Sequence, residues 1–304
     1  MRPLVFFLTW LFVSGVTALA QDSVNFLMLG DWGRETIDSR RAGQMAVAEG
    51  MAKAGEVLKP MAVITLGDNF YENGPLTANE PILKEAFEEI YTARSLQVPF
   101  WVSLGNHEYM GSVKGVLDYA AERKGSGRWT IPARYWSRKV ELPGGGTAKF
   151  IFTDTSPFIR RYHAEGHSDA GQQDTQAQLA WVERELAEMG ITWRIVIGHH
   201  PAWSGGLHGD SEDIQRELVP VLLRGKVDLY ASGHDHHPEV IQRNGLLQLI
   251  SGNGSEVRGI RRRESSPYQG QHLGFASLSL NAKTLVIRQH DDLGNVRFKL
   301  NKDR

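Results

Sequence analysis

Short runs of consecutive apolar and β-branched residues recur along the chain, a pattern typical of strands that are buried on both faces of a parallel sheet. Five such runs are residues 24–29, 62–66, 100–104, 194–197 and 227–230. Stretches with helical spacing of apolar side chains alternate with them, at residues 37–58, 79–91, 174–189 and 212–223. This alternation predicts right-handed βαβ units, in which the carboxyl ends of the strands share one edge of a sheet.

The middle and the end of the chain have a different pattern. Residues 134–142 and 147–153 are strand-like runs on either side of three consecutive glycines, which predicts a β-hairpin. Residues 156–173 have little apolar periodicity, so we expect a long loop there. Four further strand-like runs predict a second sheet, at residues 246–250, 276–280, 285–288 and 296–300. No repeat or low-complexity linker separates these parts, and we expect a single domain over residues 21–304.

The first 20 residues have the features of an export signal. Arg2 precedes an apolar run at residues 4–16, and Ala18, Leu19 and Ala20 form a small-residue cleavage site. The apolar run is shorter than the ~20 residues that a membrane-spanning helix needs, although an uncleaved anchor is the alternative. We therefore predict a signal peptide at residues 1–20, and a secreted or periplasmic location for the rest of the chain.

Composition and charge narrow the function classes without identifying one. The 304 residues are 41% hydrophobic and 23% charged, as in an ordinary globular protein. The net charge of −1 gives no overall attraction to nucleic acids or to anionic membranes, so neither is an expected partner. The chain has no cysteine, which excludes disulfide bonds and thiolate sites.

The strand-like runs share an ending that carries the chemistry. Five of them are followed, directly or after two residues, by a glycine and then by a side chain that can bind a metal ion: Asp31, Asp68, Asn106, His199 and His234. Tyr71, His107 and His236 lie within the next three residues. Taken singly, each is more simply explained as a turn residue or a solvent-facing histidine. Because parallel strands end at one edge, where open α/β sheets bind ligands, the five coincidences together predict a shared metal site.

The order and spacing of these blocks resemble those of the calcineurin-like metallophosphoesterases, and more narrowly those of the small, tartrate-resistant purple acid phosphatases. In most of the wider superfamily the first block is Asp-x-His, and its histidine binds metal. Here the first block is Asp31-Trp32-Gly33, whereas the second, Gly67-Asp68-Asn69-Phe70-Tyr71, has a tyrosine where purple acid phosphatases supply the replacement ligand. The missing histidine of the first block and the added tyrosine of the second together indicate the purple acid phosphatases. The resemblance covers essentially the whole chain after residue 20.

The resemblance implies a fold and a metal centre. The fold is α/β, a single-domain four-layer α/β/β/α sandwich with two mixed sheets and the metal site at the carboxyl ends of the strands. The centre is binuclear, and Asp68 bridges both ions. Its first site would hold Fe(III), which suits hard anionic oxygen ligands, and its second site Fe(II), Zn or Mn. The other ligands would be Asp31, Tyr71 and His236 at the first site and Asn106, His199 and His234 at the second.

The implied activity is that of a secreted acid phosphatase, in which a metal-bound hydroxide attacks a phosphate monoester. His107 and His208 match family positions that contact the phosphate and protonate the leaving alcohol. Small phosphorylated molecules are the expected substrates, and we expect a monomer. Two alternatives stay open. One is a phosphodiesterase or nucleotide hydrolase with the same centre, and the other is a non-catalytic secreted protein that binds metal or phosphate.

Other residues near the predicted ligands are given lesser roles. Glu108 is expected to orient His107. Four further histidines are interpreted as structural or loop residues rather than as ligands: His163, His167, His200 and His237.

Two segments remain for which the resemblance gives only an expectation. The basic run at residues 258–263 is interpreted as a solvated loop that could assist polyanionic substrates. The animal enzymes that the chain resembles have a disulfide and a loop whose cleavage activates them. The absence of cysteine argues against proteolytic activation at residues 156–173, though not against a lid role for that loop.

Overall fold

The described residues form two mixed sheets of seven strands each, and helices and loops connect the strands. The computed structural model describes residues 22–164 and 167–304; the predicted signal peptide, residues 1–20, lies outside them. The strands are β1 (Val24–Leu29), β2 (Ala62–Thr65), β3 (Phe100–Trp101), β4 (Trp129–Thr130), β5 (Trp136–Glu141), β6 (Thr147–Phe152), β7 (Ile191–Ile197), β8 (Leu229–Ser232), β9 (Pro238–Arg243), β10 (Leu246–Ser251), β11 (Tyr268–Gln269), β12 (Gly274–Leu280), β13 (Thr284–Asp291) and β14 (Val296–Asp303). The α-helices are α1 (Arg41–Leu58), α2 (Pro81–Leu83), α3 (Asn106–Met110), α4 (Val113–Ala121), α5 (Thr175–Leu186), α6 (Glu212–Glu217) and α7 (Val219–Arg224).

The first sheet has the spatial order β14-β13-β12-β1-β2-β3-β4. Strands β1 to β3 are parallel to one another, as predicted, and the short strand β4, which the pattern did not predict, continues this parallel set. The prediction that the last strands of the chain form a second sheet is wrong for three of the four, because β12 pairs antiparallel with β1, and β13 and β14 continue from it. Short connections suit an antiparallel meander, but apolar periodicity does not reveal which open edge a strand will join.

The second sheet has the order β11-β9-β10-β8-β7-β6-β5. Its central strands β6, β7, β8 and β10 are parallel. The predicted hairpin is confirmed, since β5 and β6 pair antiparallel around residues 144–146. These glycines have φ angles of 82°, 95° and 83°, a region that favours glycine.

Several predicted helices are shorter in the structure than in the sequence pattern. Helix α1 begins at Arg41 because Asp38 accepts hydrogen bonds from the backbone and side chain of Arg40, which forms a local turn. At residues 79–91 the helix begins at Pro81 and ends in a π-helical turn, Lys84–Glu88. Residues 156–173, predicted as a loop, contain three short 3₁₀ turns within the described residues: Ser156–Phe158, Arg160–His163 and Ala170–Gln172.

The two sheets pack against each other through large aromatic side chains. Phe150 of the second sheet contacts Phe26 and Trp101 of the first, with ring centroids 4.8 Å and 5.6 Å apart. All three side chains are buried. Each such side chain contributes about 1.5–3 kcal/mol when it is fully removed from water, so this interface holds the two sheet edges in fixed relation.

Two residues inside the sequence motifs anchor the loops that leave the first sheet. Trp32, directly after Asp31, and Phe70, directly before Tyr71, are completely buried, with ring centroids 5.9 Å apart. Trp129 lies against both rings. Because the core holds these aromatic neighbours, the functional side chains beside them have little freedom to move.

Candidate metal centre

The structure brings the seven predicted metal ligands to the carboxyl ends of the central strands. Asp31 follows β1, Asp68 and Tyr71 follow β2, and Asn106 follows β3 as the first residue of α3. The second sheet supplies the others, because His199 follows β7 and His234 and His236 follow β8. Both sheets therefore contribute to one site at their shared edge, and all seven side chains are buried.

Four of these side chains form a first cluster around the Tyr71 hydroxyl. This hydroxyl donates a hydrogen bond to Asp31 Oδ1 at 2.9 Å and lies 3.1 Å from Asp68 Oδ2. His236 Nε2 is 3.3 Å from the Tyr71 hydroxyl oxygen and 3.4 Å from Asp31 Oδ1. Three oxygen donors and one imidazole thus point at a common centre.

A second cluster adjoins the first through Asp68. His199 Nε2 lies 3.1 Å from Asp68 Oδ2 and 3.3 Å from His234 Nδ1. Asn106 Oδ1 is buried and has no hydrogen-bond partner among the described residues, which is unusual for an amide oxygen. Asp31, Asp68 and His199 each offer a ligand atom within 4.8 Å of the others, so the two clusters are contiguous.

Backbone geometry at the strand ends explains why glycine precedes the ligands. Asp31, Asp68 and His234 have φ angles of 60°, 48° and 69°, a region that non-glycine residues adopt rarely and at a cost in free energy. A Cβ atom on Gly105 would lie 2.2 Å from Asp68 Oδ1, and one on Gly233 would lie 2.4 Å from Asp31 Oδ2. The glycines therefore make room for the carboxylates to enter the site.

Electrostatic effects in the site follow from burial and from the close carboxylates. Burial opposes ionisation of Asp68, but His199 and His107 outweigh it and hold the pKa of this carboxyl well below its usual range. Burial, together with Asp31 and Asp68, raises the pKa of the Tyr71 phenol. Burial lowers the pKa of His199, but the Asp68 carboxylate more than compensates and raises it to about 9. A positive ion bound beside these residues would stabilise the ionised forms of the carboxylates and of the phenol.

Several supporting residues orient the predicted ligands, and the sequence did not reveal them. The second nitrogen of His199 lies 2.8 Å from the Leu66 carbonyl oxygen, and that of His236 lies 3.1 Å from Glu256 Oε2. Such partners fix the orientation of a metal-binding imidazole. Glu256 follows the Ser251 end of β10 by five residues, and no motif marks it.

The expected role of Glu108 is wrong. Its carboxylate does not orient His107; it accepts hydrogen bonds from the backbone N–H groups of Gly105, Asp68 and Asn69. The ring of His107 is oriented instead by the Glu72 carbonyl oxygen, 2.5 Å from its Nδ1. Glu108 therefore supports the loops that present the ligands.

The two predicted catalytic histidines contact different clusters of the site, His107 the first and His208 the second. The His107 ring packs against Tyr71 with centroids 4.3 Å apart, and its Nε2 is 3.8 Å from Asp68 Oδ2. His208 is exposed and stacks on His234 with centroids 4.2 Å apart, while its backbone N–H donates to Asp235 Oδ1. A cavity of about 210 Å³ opens beside His208 and His234.

The histidines that were interpreted as structural have partners of their own. His200 lies close to His199 and His234, but its two nitrogens lie 2.9 Å from Thr155 Oγ1 and 3.2 Å from the Tyr162 hydroxyl. The other three also contact protein groups, since His237 pairs with Glu239, His163 lies 2.8 Å from the Pro157 carbonyl oxygen, and His167 stacks on Tyr162.

Only one end of the basic run approaches the site. Arg258 Nη1 is 3.5 Å from His208 Nε2, and its Nη2 donates to Glu256 at 3.1 Å. Arg263, at the other end, forms an ion pair with Asp210 at 2.7 Å. The run is thus partly paired with carboxylates and is not uniformly solvated.

Comparison with known proteins agrees with this geometry. The family model described as calcineurin-like phosphoesterase matches residues 24–238. Purple acid phosphatase 17 of Arabidopsis thaliana is 36% identical over 300 residues, which cover 93% of this chain and 85% of the relative. The chain belongs to the purple acid phosphatases. Tartrate-resistant acid phosphatase type 5 of Homo sapiens is 29% identical over 304 residues, covering 92% of this chain and 91% of the human protein.

Membership of the purple acid phosphatases makes this protein a phosphatase with a binuclear metal centre. Two solved structures share the fold. The GAP50 anchor of the inner membrane complex of Plasmodium has a TM-score of 0.81 at 23% identity and is matched over 93% of this chain and 89% of that one. The purple acid phosphatase PPD1 from yellow lupin has a TM-score of 0.67 at 17% identity, over 93% and 54%. The predicted α/β fold with two mixed sheets is confirmed.

Proposed function

We propose that this purple acid phosphatase is an exported enzyme that hydrolyses phosphate monoesters at two metal ions bridged by Asp68. The observation that carries the proposal is the position of Asp68 Oδ2, which lies 3.1 Å from the Tyr71 hydroxyl oxygen and 3.1 Å from His199 Nε2. One carboxylate oxygen thus faces two clusters of ligand atoms. Asp68 would therefore be the residue that both ions share.

The donor atoms fit two different ions. Asp31, Asp68 and Tyr71 offer hard oxygen atoms that suit a trivalent ion such as Fe(III), and His236 would complete that site. The two imidazoles and the amide oxygen of the second cluster suit a divalent ion such as Fe(II), Zn or Mn. The buried Asn106 Oδ1 lacks a partner among the described residues, and an ion would satisfy it. Burial and the neighbouring carboxylates raise the pKa of the Tyr71 phenol, and a bound cation would favour its ionised form.

When bound, the two ions would polarise the phosphate and lower the pKa of a water molecule so that a hydroxide forms near neutral pH. The protein supplies orientation and a proton. His107 lies against Tyr71 and close to Asp68, where it can hold a phosphate oxygen. His208 is exposed at the cavity and is placed to give a proton to the leaving alcohol, which an imidazole does well near neutral pH.

Export is supported by the pattern of residues 1–20 alone: a basic residue, a short apolar run and a small-residue cleavage site. Within residues 22–164 and 167–304, no helix has the length and apolar character needed to cross a bilayer. Mass spectrometry of the secreted or periplasmic protein should give an amino terminus near Gln21. A cytoplasmic protein that begins at Met1 would contradict this part of the proposal.

The choice of a monoester as substrate is tested with paired model substrates. Purified, metal-loaded enzyme should hydrolyse 4-nitrophenyl phosphate with a higher kcat/KM than bis(4-nitrophenyl) phosphate. Because both substrates release the same phenolate, a difference in kcat/KM reflects the preference for a monoester or a diester and not the leaving group. A preference for the diester would support the phosphodiesterase alternative. Failure to hydrolyse either substrate with both metals bound would support the non-catalytic alternative.

A further inference from the structure

Arg34 is a fully buried arginine to which the mechanism above gives no role. Its guanidinium carbon lies 3.7 Å from the centroid of the Tyr71 ring. The backbone fixes this contact, because an isolated β-bridge pairs Arg34 with Tyr71, and the Tyr71 N–H donates to the Gly33 carbonyl oxygen at 2.8 Å. A cation is thus held over the face of a predicted metal ligand.

The Arg34 side chain is also connected, through one intervening residue each, to Asp31 and His236, the other two predicted ligands that belong to the first metal site alone. Arg34 Nε donates to Ser255 Oγ at 2.8 Å, and that hydroxyl donates to the Asp31 carbonyl oxygen at 2.8 Å. Arg34 Nη2 lies 3.6 Å from Glu256 Oε2, which is 3.1 Å from His236 Nδ1. One guanidinium therefore connects to Tyr71 directly, to Asp31 through a serine and to His236 through a glutamate.

A purely structural role explains the environment of Arg34 less well. Its ion pairs are long, with the carboxylates of Asp38, Glu72 and Glu256 at 3.6 Å, 3.4 Å and 3.6 Å. Its Nη2 has no hydrogen-bond partner among the described residues. A buried guanidinium retains its charge and costs free energy to desolvate unless it is well paired. The ring face of Tyr71 adds a cation–π contact to these interactions, and this contact strengthens if the phenol ionises.

We infer that Arg34 is a positioning residue of the first metal site, which orients the three ligands unique to that site and weakens electron donation from Tyr71 to the metal ion. The inference rests on the proposed tyrosinate-bound Fe(III). A positive charge over the ring stabilises the electrons of the phenolate, so their transfer to the metal requires more energy. Removing that charge should lower the energy of the charge-transfer transition.

The first test is the visible absorption band of the oxidised, iron-loaded protein. Arg34→Met should move the band to longer wavelength by roughly 20 nm, the scale of a desolvated cation–π interaction. Arg34→Lys keeps the charge but loses the planar stacking, so its band should lie between those of Arg34→Met and the wild type. Arg40→Met is the matched control, since Arg40 pairs with the same three carboxylates, Asp38, Glu72 and Glu256, from a partly exposed position.

An unchanged band in Arg34→Met, or an equal shift in Arg40→Met, would overturn the inference. If Arg34→Met does not fold, Arg34→Gln replaces it as the variant that removes the charge, and an unchanged band in Arg34→Gln would overturn the inference.

The second test does not depend on iron. In chelator, one of the two metal ions should leave Arg34→Met about 10–100-fold faster than the wild type, the usual effect of losing a residue that orients ligands. The second ion should leave at the wild-type rate. Equal acceleration for both ions would indicate general destabilisation and overturn the inference. A colourless wild-type protein with full iron would refute the proposed tyrosinate centre, and the selective loss of one ion would then decide the role of Arg34 alone.

Discussion

Replacement of Glu108 tests whether one buried carboxylate fixes the loop that carries Asp68. Glu108 Oε2 accepts hydrogen bonds from the N–H groups of Gly105 at 2.6 Å and Asp68 at 3.1 Å, and Oε1 accepts one from Asn69 at 2.7 Å. The side chain is completely buried. Water therefore cannot replace these bonds without entering the core.

The structure predicts a graded loss of stability. Glu108→Ala leaves three buried donors without an acceptor, and at about 1–3 kcal/mol each the free energy of unfolding should fall by about 3–6 kcal/mol if water enters and satisfies part of the loss. In Glu108→Gln the amide oxygen can serve Gly105 and Asp68, whereas the amide nitrogen faces the Asn69 N–H. One bond is then lost, and the decrease should be about 1–3 kcal/mol.

Equilibrium urea unfolding in the presence of chelator measures these differences, because bound metal would otherwise add to the stability of the folded state. Glu89→Ala is the control, since Glu89 is half exposed and pairs only loosely with Lys84 at 3.2 Å. This change should alter stability by no more than about 0.5 kcal/mol. A loss below about 1 kcal/mol in Glu108→Ala, or equal losses in the two Glu108 variants, would refute the reasoning.

Three further predictions concern the bridge, the proton donor and a buried acid. Asp68→Ala should lose both metal ions, because this carboxylate is proposed to bridge them; elemental analysis that finds one ion bound at wild-type affinity would contradict the bridging role. His208→Ala should lower kcat by roughly 10²- to 10⁴-fold for alkyl phosphates, and by less for nitrophenyl phosphate, whose phenolate leaves without a proton. Equal losses on the two substrates, at unchanged metal content, would show that His208 is not the proton donor. Burial raises the pKa of Asp154 from 3.8 to about 7, against a hydrogen bond from Tyr109. The folded state therefore holds this proton more tightly, and stability should fall by up to about 4 kcal/mol as pH rises from 4 to 7. Asp154→Asn should remove that fall in urea unfolding at the two pH values, and an unchanged slope would contradict it.

The clustering of the predicted ligands could be anticipated from the sequence because five of them, Asp31, Asp68, Asn106, His199 and His234, obey a local rule. A buried strand, a glycine and a metal-binding side chain follow one another in the chain, and parallel strands bring such endings together without further information. The φ angles of Asp31 and Asp68 and the close approach of Asp68 to Gly105 show that this order has a steric cause. Even the exchange of a histidine for Tyr71 was visible, because both blocks are contiguous in sequence.

The supporting residues could not be predicted in this way. Glu108 was assigned to its neighbour His107, but its partners include Asp68 and Asn69, about 40 residues earlier. Glu256 contacts His236, which lies 20 residues earlier in the chain, and the Arg34 guanidinium contacts the ring of Tyr71. These contacts depend on tertiary packing, which periodicity does not encode. Strands β12 to β14 joined the first sheet for the same reason, since their pattern specifies a strand but not its neighbour.

The central claim is that Asp31, Asp68 and Tyr71 hold an iron ion in a two-metal site. Metal analysis of the purified, oxidised protein together with its visible spectrum tests it most directly. We expect two metal ions per chain, at least one of them iron, and a pink to purple band that Tyr71→Phe abolishes. A colourless wild-type protein with full iron occupancy, or a band that survives in Tyr71→Phe, would contradict the claim.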